Sequence, residues 1–451
     1  MNLRDYQING IKFLSTRDQA ILSDQPGLGK TLMALKTIEE LRLTALVICP
    51  KSIRGEWKKE AKKWTSLKLT VIDGSPKARE FLYRLKSNIY ILSYDTAIKD
   101  HKLISQLPYD CIILDEAQRI KNRRTLTAKT VKNLRMPPRR YVLTATPIEN
   151  RIDELYSLIE FIGNGVYDDL QSALLSNKGS YSGYFNTAWG SGSKRLRKMA
   201  ARNPSVIPRA LSKFMLRRRK EDVAPELPPK THITIETPLT LEQEKEYKLA
   251  RDEFLRLVGD QTIPISSVLA QLTYLRVLCD STKMFDRASG SSSKLDELIP
   301  RVKEIVDTNE KVIIFSEYKR MCDKIIHALQ KAGITDISYM HGTNCDTEKE
   351  KTAFWERNRV MVCTKTGEAG HNLQCASYVF QIENNWNPAR MEQREDRTHR
   401  LGQSKPVIVY EFFCPGTVEE KVRATLEQKR ELIETVIDRP EYREWLRSIV
   451  E

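Results

Sequence analysis

Long apolar runs are absent from this sequence. Nowhere do about eighteen apolar residues follow one another, as a membrane-spanning helix requires. The opening residues, MNLRDYQING, also lack the apolar core of a secretion signal. On these sequence criteria a membrane-spanning protein is excluded, and we expect a cytoplasmic protein without a membrane partner.

Closely spaced cysteine pairs are absent as well. The eight cysteines are dispersed without a CxxC pair, and several lie in apolar runs such as ALVIC and VMVC. Zinc ligands and disulfide frameworks usually show characteristic cysteine spacings. We therefore expect reduced cysteines that belong to the core, and no metal ligands among them.

Acidic residues are absent from Leu170 to Lys220, although this stretch contains twelve Lys or Arg residues. The whole chain has 74 basic and 59 acidic residues, which gives a formal net charge of +15. A surface of this charge binds nucleic-acid phosphates without reading sequence, and its affinity falls steeply with salt. For composition alone, the alternative that the excess charge only keeps the protein soluble stays open.

Short apolar runs alternate with charged amphipathic stretches in two parts of the chain, from Asp5 to about Gly163 and from Lys294 onward. This alternation is typical of parallel sheets covered by helices. We therefore predict an α/β protein with two lobes. The predicted segments are lobe 1 at 1–163, a basic insert and connector at 164–230, a helical protrusion of lobe 2 at 231–293, and lobe 2 with C-terminal helices at 294–451.

The segment DQPGLGKT predicts a phosphate-binding loop between a short strand and an amphipathic helix that begins at Thr31. Glycines at such a turn let backbone amides surround a phosphate, and the helix N-terminus attracts anions. Lys30 would reach the β- and γ-phosphates, and Thr31 the Mg²⁺. A strict phosphate loop has glycine in place of Asp24, so an incidental turn remains the alternative for this segment alone. The other residues of the loop are Pro26, Gly27, Leu28 and Gly29.

Two further motifs supply groups for ATP hydrolysis. Asp115 and Glu116 end the apolar strand of IILDEAQ, where one carboxylate can hold hydrated Mg²⁺ and the other can orient the attacking water. We assign these roles to Asp115 and Glu116 in that order. In QREDRTHRLGQ, Gln393, Arg397 and Arg400 recur at spacings of four and three, which predicts one shared helical face with arginines for the γ-phosphate. Singly, these motifs also fit a capped turn or a solvated helix; their order along the chain favours a nucleotide site.

Nine motifs in order resemble the Snf2-like group of superfamily 2 helicases and translocases. They are LRDYQINGIKFL, DQPGLGKT, LVICPKSIRGEWKKE, ILDEAQRIKN, LTATPIENRIDELYSL, LRRRKEDVAPELPPK, TGEAGHNL, NNWNPARMEQREDRTHRLGQ and GTVEEKV. The match spans almost the whole chain. It implies two RecA-like lobes with helical protrusions inserted between them, and ATP with Mg²⁺ as the nucleotide and cofactor.

The resemblance also implies roles for individual residues. Gln7 falls in the adenine-recognition motif, and Gly370 falls on a nucleotide-handling position. The positions that usually face the nucleic-acid backbone are Pro50, Lys51, Ser52, Ser93, Tyr94, Thr144, Ser316, His341, Gly342 and Thr364. In the basic insert we expect DNA contacts from Lys194, Arg195, Arg197 and Lys198. Gln118 replaces the more frequent His of DEAH, which leaves the coupling between hydrolysis and the nucleic-acid site in question.

No segment resembles a bromodomain, a chromodomain, a zinc finger or a nuclease, and the chain looks like a minimal motor of phages and bacteria. We expect a DNA-dependent ATPase in bacterial or phage-infected host cytoplasm, moving on duplex DNA and remodelling forked or branched DNA. One alternative is an ATP-gated clamp or loader that holds DNA junctions without travelling. Another is an RNA-directed helicase, because phosphate contacts alone do not distinguish the two sugars.

Overall fold

The computed structural model describes residues 3–147, 152–163, 211, 213–259, 265–285, 290–342, 346–364, 373–385, 387–420 and 423. The chain divides into two compact units, with the boundary between Pro225 and Glu226. Among the described residues, no helix combines the length and apolar character needed to cross a bilayer. Seven of the eight cysteines are described, all seven are free, and six of them are buried, as expected for core residues.

A parallel sheet of seven strands forms the middle of the first unit. Side by side, its strands are β3 (Leu69–Val71), β4 (Ile89–Ser93), β2 (Ala45–Cys49), β5 (Cys111–Asp115), β6 (Arg139–Leu143), β1 (Gln19–Leu22) and β7 (Met215–Leu216). The strands β2, β4 and β5 are buried along their whole length. Their sequences are continuous apolar runs because helices cover both faces of the sheet.

Alternate strand residues of this unit fall into two apolar clusters, as Val47 and Ile48 do in β2. One cluster includes residues of α1 (Asp5–Ser15), α2 (Lys30–Glu40) and α3 (Arg54–Trp64). The other includes residues of α4 (Pro76–Arg84), α5 (Tyr94–Lys99), α6 (His101–Ile104), α7 (Leu126–Lys132) and α8 (Ile152–Ile162). A single turn, α9 (Lys220–Val223), follows β7. The predicted α/β lobe is confirmed.

Two long helices, α10 (Leu241–Gly259) and α11 (Ile265–Asp280), lie in the second unit before its main sheet strands. Thr240 and Gln243 form the capping box predicted for the first of them. The Gln243 amide donates to Thr240 Oγ1 at 3.2 Å, and the Thr240 amide donates to Gln243 Oε1 at 3.3 Å. These reciprocal bonds satisfy backbone donors at the helix end.

The second unit contains a parallel sheet of six strands. Their order is β10 (Ile337–Met340), β11 (Val360–Cys363), β9 (Val312–Phe315), β12 (Tyr378–Gln381), β13 (Val407–Phe413) and β8 (Lys230–Glu236). The helices α12 (Ser293–Asp307) and α13 (Lys319–Lys331) contribute to the apolar cluster on one face, and α14 (Thr347–Glu356) to the cluster on the other. A further helix, α15 (Pro388–Glu395), follows β12. The second α/β lobe is therefore confirmed as well.

Two strands lie within segments that the sequence assigns to the insert and to the helical protrusion. β7 falls inside 164–230 and pairs with β1, while β8 falls almost entirely inside 231–293 and pairs with β13. Both are edge strands. β7 has only two residues, and β8 is mostly exposed, so neither has the apolar run that marks a central strand.

Candidate nucleotide-binding and hydrolysis site

The predicted site residues of the first unit follow the carboxyl ends of its parallel strands. Asp24 comes after β1, Pro50 after β2, and Thr144 after β6, while Ser93 and Asp115 are the last residues of β4 and β5. Parallel strands end at one edge of a sheet, and this edge is where open α/β sheets bind ligands. The motifs are thus gathered by the topology although they are far apart in sequence.

The phosphate loop joins β1 to α2, which begins at Lys30, one residue earlier than expected. Gly27 and Gly29 have φ angles of +89° and +87°, in the left-handed region where a side chain is strained. A Cβ atom at Gly29 would lie 3.0 Å from the Gln7 side-chain nitrogen. Gln7, the residue of the expected adenine-recognition motif, is therefore packed against the phosphate loop.

Lys30 lies across this loop. Its Nζ donates to the carbonyl oxygens of Asp24 at 2.6 Å and Gln25 at 3.4 Å. Its positive charge also opposes the rise in the pKa of Asp115 that burial causes. The ammonium group is therefore near enough to the acidic pair to interact with it electrostatically, as a site that hydrolyses a nucleotide would require.

Asp115 is buried, and its carboxylate is held from two sides. Oδ2 accepts a hydrogen bond from Trp57 Nε1 at 2.7 Å, and Oδ1 accepts one from the Glu116 amide at 2.9 Å. Burial, followed by the charge of Glu116, raises the pKa of Asp115 to about 7, against the opposing effects of Trp57 and Lys30. A divalent cation would offset the charge of two adjacent carboxylates.

The donor set fits Mg²⁺, which prefers oxygen ligands such as the Asp115 carboxylate and the Thr31 hydroxyl. Two buried hydroxyl oxygens at the same sheet edge, Ser23 Oγ and Thr146 Oγ1, have no hydrogen-bond partner within the described part of the chain. Buried polar atoms of this kind usually have partners. Their position points to a polar ligand at this edge.

Glu116 has a φ angle of +50°, which is uncommon for a residue with a side chain and typical of functional sites. Gln118 Nε2 donates to Glu116 Oε2 at 2.7 Å, and Thr144 Oγ1 donates to Gln118 Oε1 at 3.0 Å. The Thr146 amide donates to Thr144 Oγ1 at 3.1 Å. Gln118 thus links the acidic pair to the LTATP segment. It is the residue that replaces the His of DEAH, for which the resemblance leaves open how hydrolysis is coupled to the nucleic-acid site.

We predict that Gln118→Ala lowers the DNA-stimulated kcat for ATP by about tenfold, because two hydrogen bonds worth about 0.5–1.5 kcal/mol each are lost. The basal rate without DNA should fall by a smaller factor, since Glu116 loses one hydrogen-bond partner while Lys30 and Asp115 stay in place. Phosphate release measured with and without duplex DNA checks this. The matched control is Gln106→Ala, at an exposed glutamine of the same unit. Equal stimulation in Gln118→Ala and wild type would exclude a coupling role.

The nucleic-acid-facing positions of the first unit separate into two groups. Lys51 and Ser52 are exposed and Pro50 is half-buried, as a contact with a ligand backbone requires. Tyr94 is buried, and its hydroxyl donates to the Asp115 carbonyl at 2.9 Å. Ser93 Oγ accepts from the Thr96 amide at 3.1 Å and caps α5.

Tyr94, Ser93 and Thr144 thus differ from the expectation, because their polar side-chain atoms are engaged inside the unit. Thr144 is fully buried, with its hydroxyl bound to Gln118. Tyr94 and Thr144 support Asp115 and Gln118 from the interior, while Ser93 caps α5.

In the second unit, Ser316, His341 and Thr364 follow the carboxyl ends of β9, β10 and β11, so they too share one sheet edge. Ser316 is fully buried, and its Oγ donates to Glu383 Oε1 at 2.7 Å, which differs from a nucleic-acid-facing position. His341 is half-buried and Gly342 is exposed. The predicted residues outside the described part of the chain are Lys194, Arg195, Arg197, Lys198 and Gly370.

The prediction that Gln393, Arg397 and Arg400 share a helical face is wrong. Only Gln393 lies in α15, which ends at Glu395. The Arg397 carbonyl accepts from the Leu373 amide at 3.0 Å instead of continuing a helix. Arg397 is buried, and half-buried Arg400 donates from Nε to the Asp396 carbonyl at 2.8 Å.

Three residues that lie within the nine motifs, but to which the sequence assigns no role, also shape the site. Trp57 donates a hydrogen bond to Asp115, as described above. The sequence marks it only by its place in WKKE, after an exposed turn. Arg218 pairs with Asp24, which is fully buried, and this ion pair explains why aspartate stands where a strict phosphate loop has glycine. Arg217 donates to the Ala145 carbonyl of LTATP at 2.8 Å.

Comparison with protein families gives two matches. An SNF2-related domain matches residues 6–284, and a helicase conserved C-terminal domain matches residues 293–402. Together they cover most of both α/β units, and the first alone covers more than half of the chain.

The chain is similar to curated proteins from animals and bacteria. It is 29% identical to the mouse SWI/SNF-related matrix-associated actin-dependent regulator of chromatin subfamily A member 1, over 96% of this chain and 43% of that protein. It is 29% identical to the Bacillus subtilis putative ATP-dependent helicase/translocase YwqA, over 96% of this chain and 49% of that protein. The chain therefore spans less than half the length of these relatives.

Among solved structures, the chain is similar to a Sulfolobus solfataricus SWI2/SNF2 ATPase core in complex with dsDNA. The identity is 27% and the TM-score is 0.42, with 97% of this chain and 93% of that chain covered.

Proposed function

The chain belongs to the SNF2-related family, and from that membership and the site geometry we propose that it is an ATP-dependent translocase and helicase acting on DNA. The observation that carries the proposal is the connected set of Lys30, Asp115, Glu116, Gln118 and Thr144 at one sheet edge. The charge of Lys30 acts on Asp115, and the Glu116 amide donates to the Asp115 carboxylate. Hydrogen bonds of Gln118 then continue from Glu116 to Thr144 of the LTATP segment. A simple nucleotide-binding protein has no need for this continuation.

In this proposal, the phosphate loop binds ATP with its backbone amides, and Lys30 moves from the loop carbonyls to the β- and γ-phosphates. Asp115 and Thr31 would hold Mg²⁺, which would supply positive charge beside the phosphates. Glu116 orients a water molecule for attack, with Gln118 fixing the carboxylate through Oε2. Gln7, next to Gly29, helps to position the nucleotide.

Arg397 and Arg400 supply positive charge in the second unit. Guanidinium groups stabilise the charge that spreads over a γ-phosphate during transfer, because their donors are planar and permanently charged. The turn that follows α15 holds both residues, with Arg397 O bound to the Leu373 amide. In this proposal, hydrolysis depends on these arginines as well as on the first unit.

DNA is the proposed substrate of the motor. The formal net charge of +15 favours a polyanion, and exposed Lys51 and Ser52 lie beside the first-unit site. The Bacillus subtilis relative is named a putative ATP-dependent helicase/translocase, which supports ATP-driven movement along a nucleic acid. We propose that the chain moves on duplex DNA and remodels forks or branched junctions by branch migration.

ATP hydrolysis rates on a panel of matched DNAs test this function. The panel contains single strands, blunt duplex, forks and four-way junctions of equal nucleotide content, with matched RNA forks as competitors. We expect stimulation by duplex DNA and a severalfold higher rate on forks or junctions. A chain that no DNA stimulates would contradict the proposal, and equal rates on blunt and branched duplex would exclude junction remodelling.

A further inference from the structure

The segment Phe214–Lys220, which we call the strap, runs beside the entry to the phosphate loop. The Ser23 amide donates to the Leu216 carbonyl at 2.7 Å, and the Gln25 amide donates to the Arg218 carbonyl at 3.1 Å. The Lys220 amide donates to Gln25 Oε1 at 2.7 Å. The pairing of β1 with β7 therefore continues past the end of β1 and into the loop.

Arg218 holds the loop through its side chain. Nε donates to Asp24 Oδ1 at 3.0 Å, and Nη2 is bound to Asp24 Oδ2. The same guanidinium donates to the Tyr6 carbonyl and lies 5.2 Å from the centre of the Tyr6 ring. Because Asp24 is fully buried, this ion pair fixes the loop to both the strap and α1.

Arg217 connects the loop to a second motif. Its Nη1 donates to the Ser23 carbonyl at 3.3 Å and to the Ala145 carbonyl at 2.8 Å. Ser23 precedes the phosphate loop, and Ala145 lies between the two threonines of LTATP. One guanidinium thus spans the ends of β1 and β6.

The position of the Lys30 ammonium depends on the loop backbone that the strap holds. Two of its partners are the carbonyls of Asp24 and Gln25, which are residues that the strap holds by side-chain and backbone bonds. A shift of the strap would therefore move the carbonyls that position the Lys30 ammonium. It would also move Ala145, which lies between Thr144 and Thr146 of the Gln118 network.

We propose that the strap positions the phosphate loop for hydrolysis, and that Arg217 is a positioning residue that keeps the loop in register with LTATP. The three consecutive arginines 217–219 belong to the stretch whose composition suggests DNA contacts. Arg217 and Arg218 instead serve the nucleotide site. This inference rests on the proposed function in assuming that the site hydrolyses ATP.

Hydrogen exchange on the full chain, without ATP or DNA, tests the structural part. In Arg217→Met, we expect the amides of residues 23–25 and 144–146 to exchange about tenfold faster than in wild type, because the bonds that join the two segments are lost. The matched control is Arg84→Met, at an exposed arginine whose side chain pairs only across the helix surface with Glu80 in the described structure. Unchanged exchange in both segments would overturn the proposal.

Kinetics test the functional part. Arg217→Met should lower the DNA-stimulated kcat by about tenfold, with the Kd for duplex DNA within about twofold of wild type. Arg217→Lys should recover part of the rate, because an ammonium can still donate to the two carbonyls. A weaker Kd for DNA with normal kcat at saturating DNA would show a DNA contact instead and would overturn the positioning role. If wild type shows no DNA-stimulated hydrolysis, the proposed function fails, while the exchange measurement still decides whether the strap positions the loop.

Discussion

Replacing Lys30 with alanine should lower the DNA-stimulated rate of ATP hydrolysis by a factor on the order of 10² to 10³. The variant lacks the ammonium that lies over the phosphate loop and interacts electrostatically with Asp115. Phosphate release at saturating ATP and duplex DNA measures the loss.

Lys36→Ala is the control for this experiment. Lys36 lies on the same helix, α2, and pairs with Glu39, so the change in helix propensity is the same while the site is untouched. Glu116→Gln should give a loss comparable to that of Lys30→Ala, because it removes the charge that polarises water but keeps an acceptor for Gln118. Normal turnover in Lys30→Ala would contradict the assignment of the phosphate loop.

Lys294→Met should reduce the free energy of unfolding of the second unit by about 3–5 kcal/mol. Lys294 is completely buried, and its Nζ donates to Asp280 Oδ1 at 2.8 Å, Glu419 Oε1 at 2.7 Å and the Ile382 carbonyl at 2.8 Å. Methionine fills similar space but leaves two buried carboxylates without a counter-charge. Urea unfolding, with hydrogen exchange of the central strand β9 as the readout for this unit, measures the effect.

The matched control, Lys319→Met, removes an exposed lysine that pairs with Asp323 one helical turn away. Its effect should stay within about 0.5 kcal/mol, as for other exposed pairs. If both variants unfold at the same urea concentration as wild type, the buried lysine does not hold the second unit together.

The destabilisation in Lys294→Met should depend on pH. Burial raises the pKa of Asp280 well above its usual value, and Lys294 is the main group that opposes this shift. Without Lys294 the pKa of the folded state rises further above that of the unfolded chain, so the folded state retains a proton that the unfolded chain releases. Both proteins lose stability as pH rises above the unfolded pKa of about 3.9, but in the variant this loss continues to a higher pH, so the deficit relative to wild type should grow as pH is raised.

Local sequence patterns predicted the central strands and the phosphate loop. Runs such as ALVIC and CIILD indicate strands because burial on both faces requires continuous apolar residues. The acidic pair could be placed beside the loop because parallel strands end at one edge. These inferences need only local spacing and a common sheet direction.

The remaining features depend on contacts between distant residues. Asp24 and Arg218 lie 194 positions apart, and nothing near Asp24 indicates its partner. The spacing of Arg397 suggests a continuing helix, but its carbonyl is bound by the Leu373 amide, and only the folded chain reveals that competition. Tyr94 and Ser316 have polar groups that suit a ligand contact, yet both groups satisfy partners inside their own units.

Displacement of a third strand from a long duplex tests the central claim, that hydrolysis at this site drives movement along DNA. With ATP and Mg²⁺, wild type should release the third strand at a rate that falls as the duplex between entry site and triplex is lengthened, and Lys30→Ala should release none. DNA-stimulated hydrolysis by wild type without any displacement would contradict translocation and would favour a clamp that grips DNA without travelling.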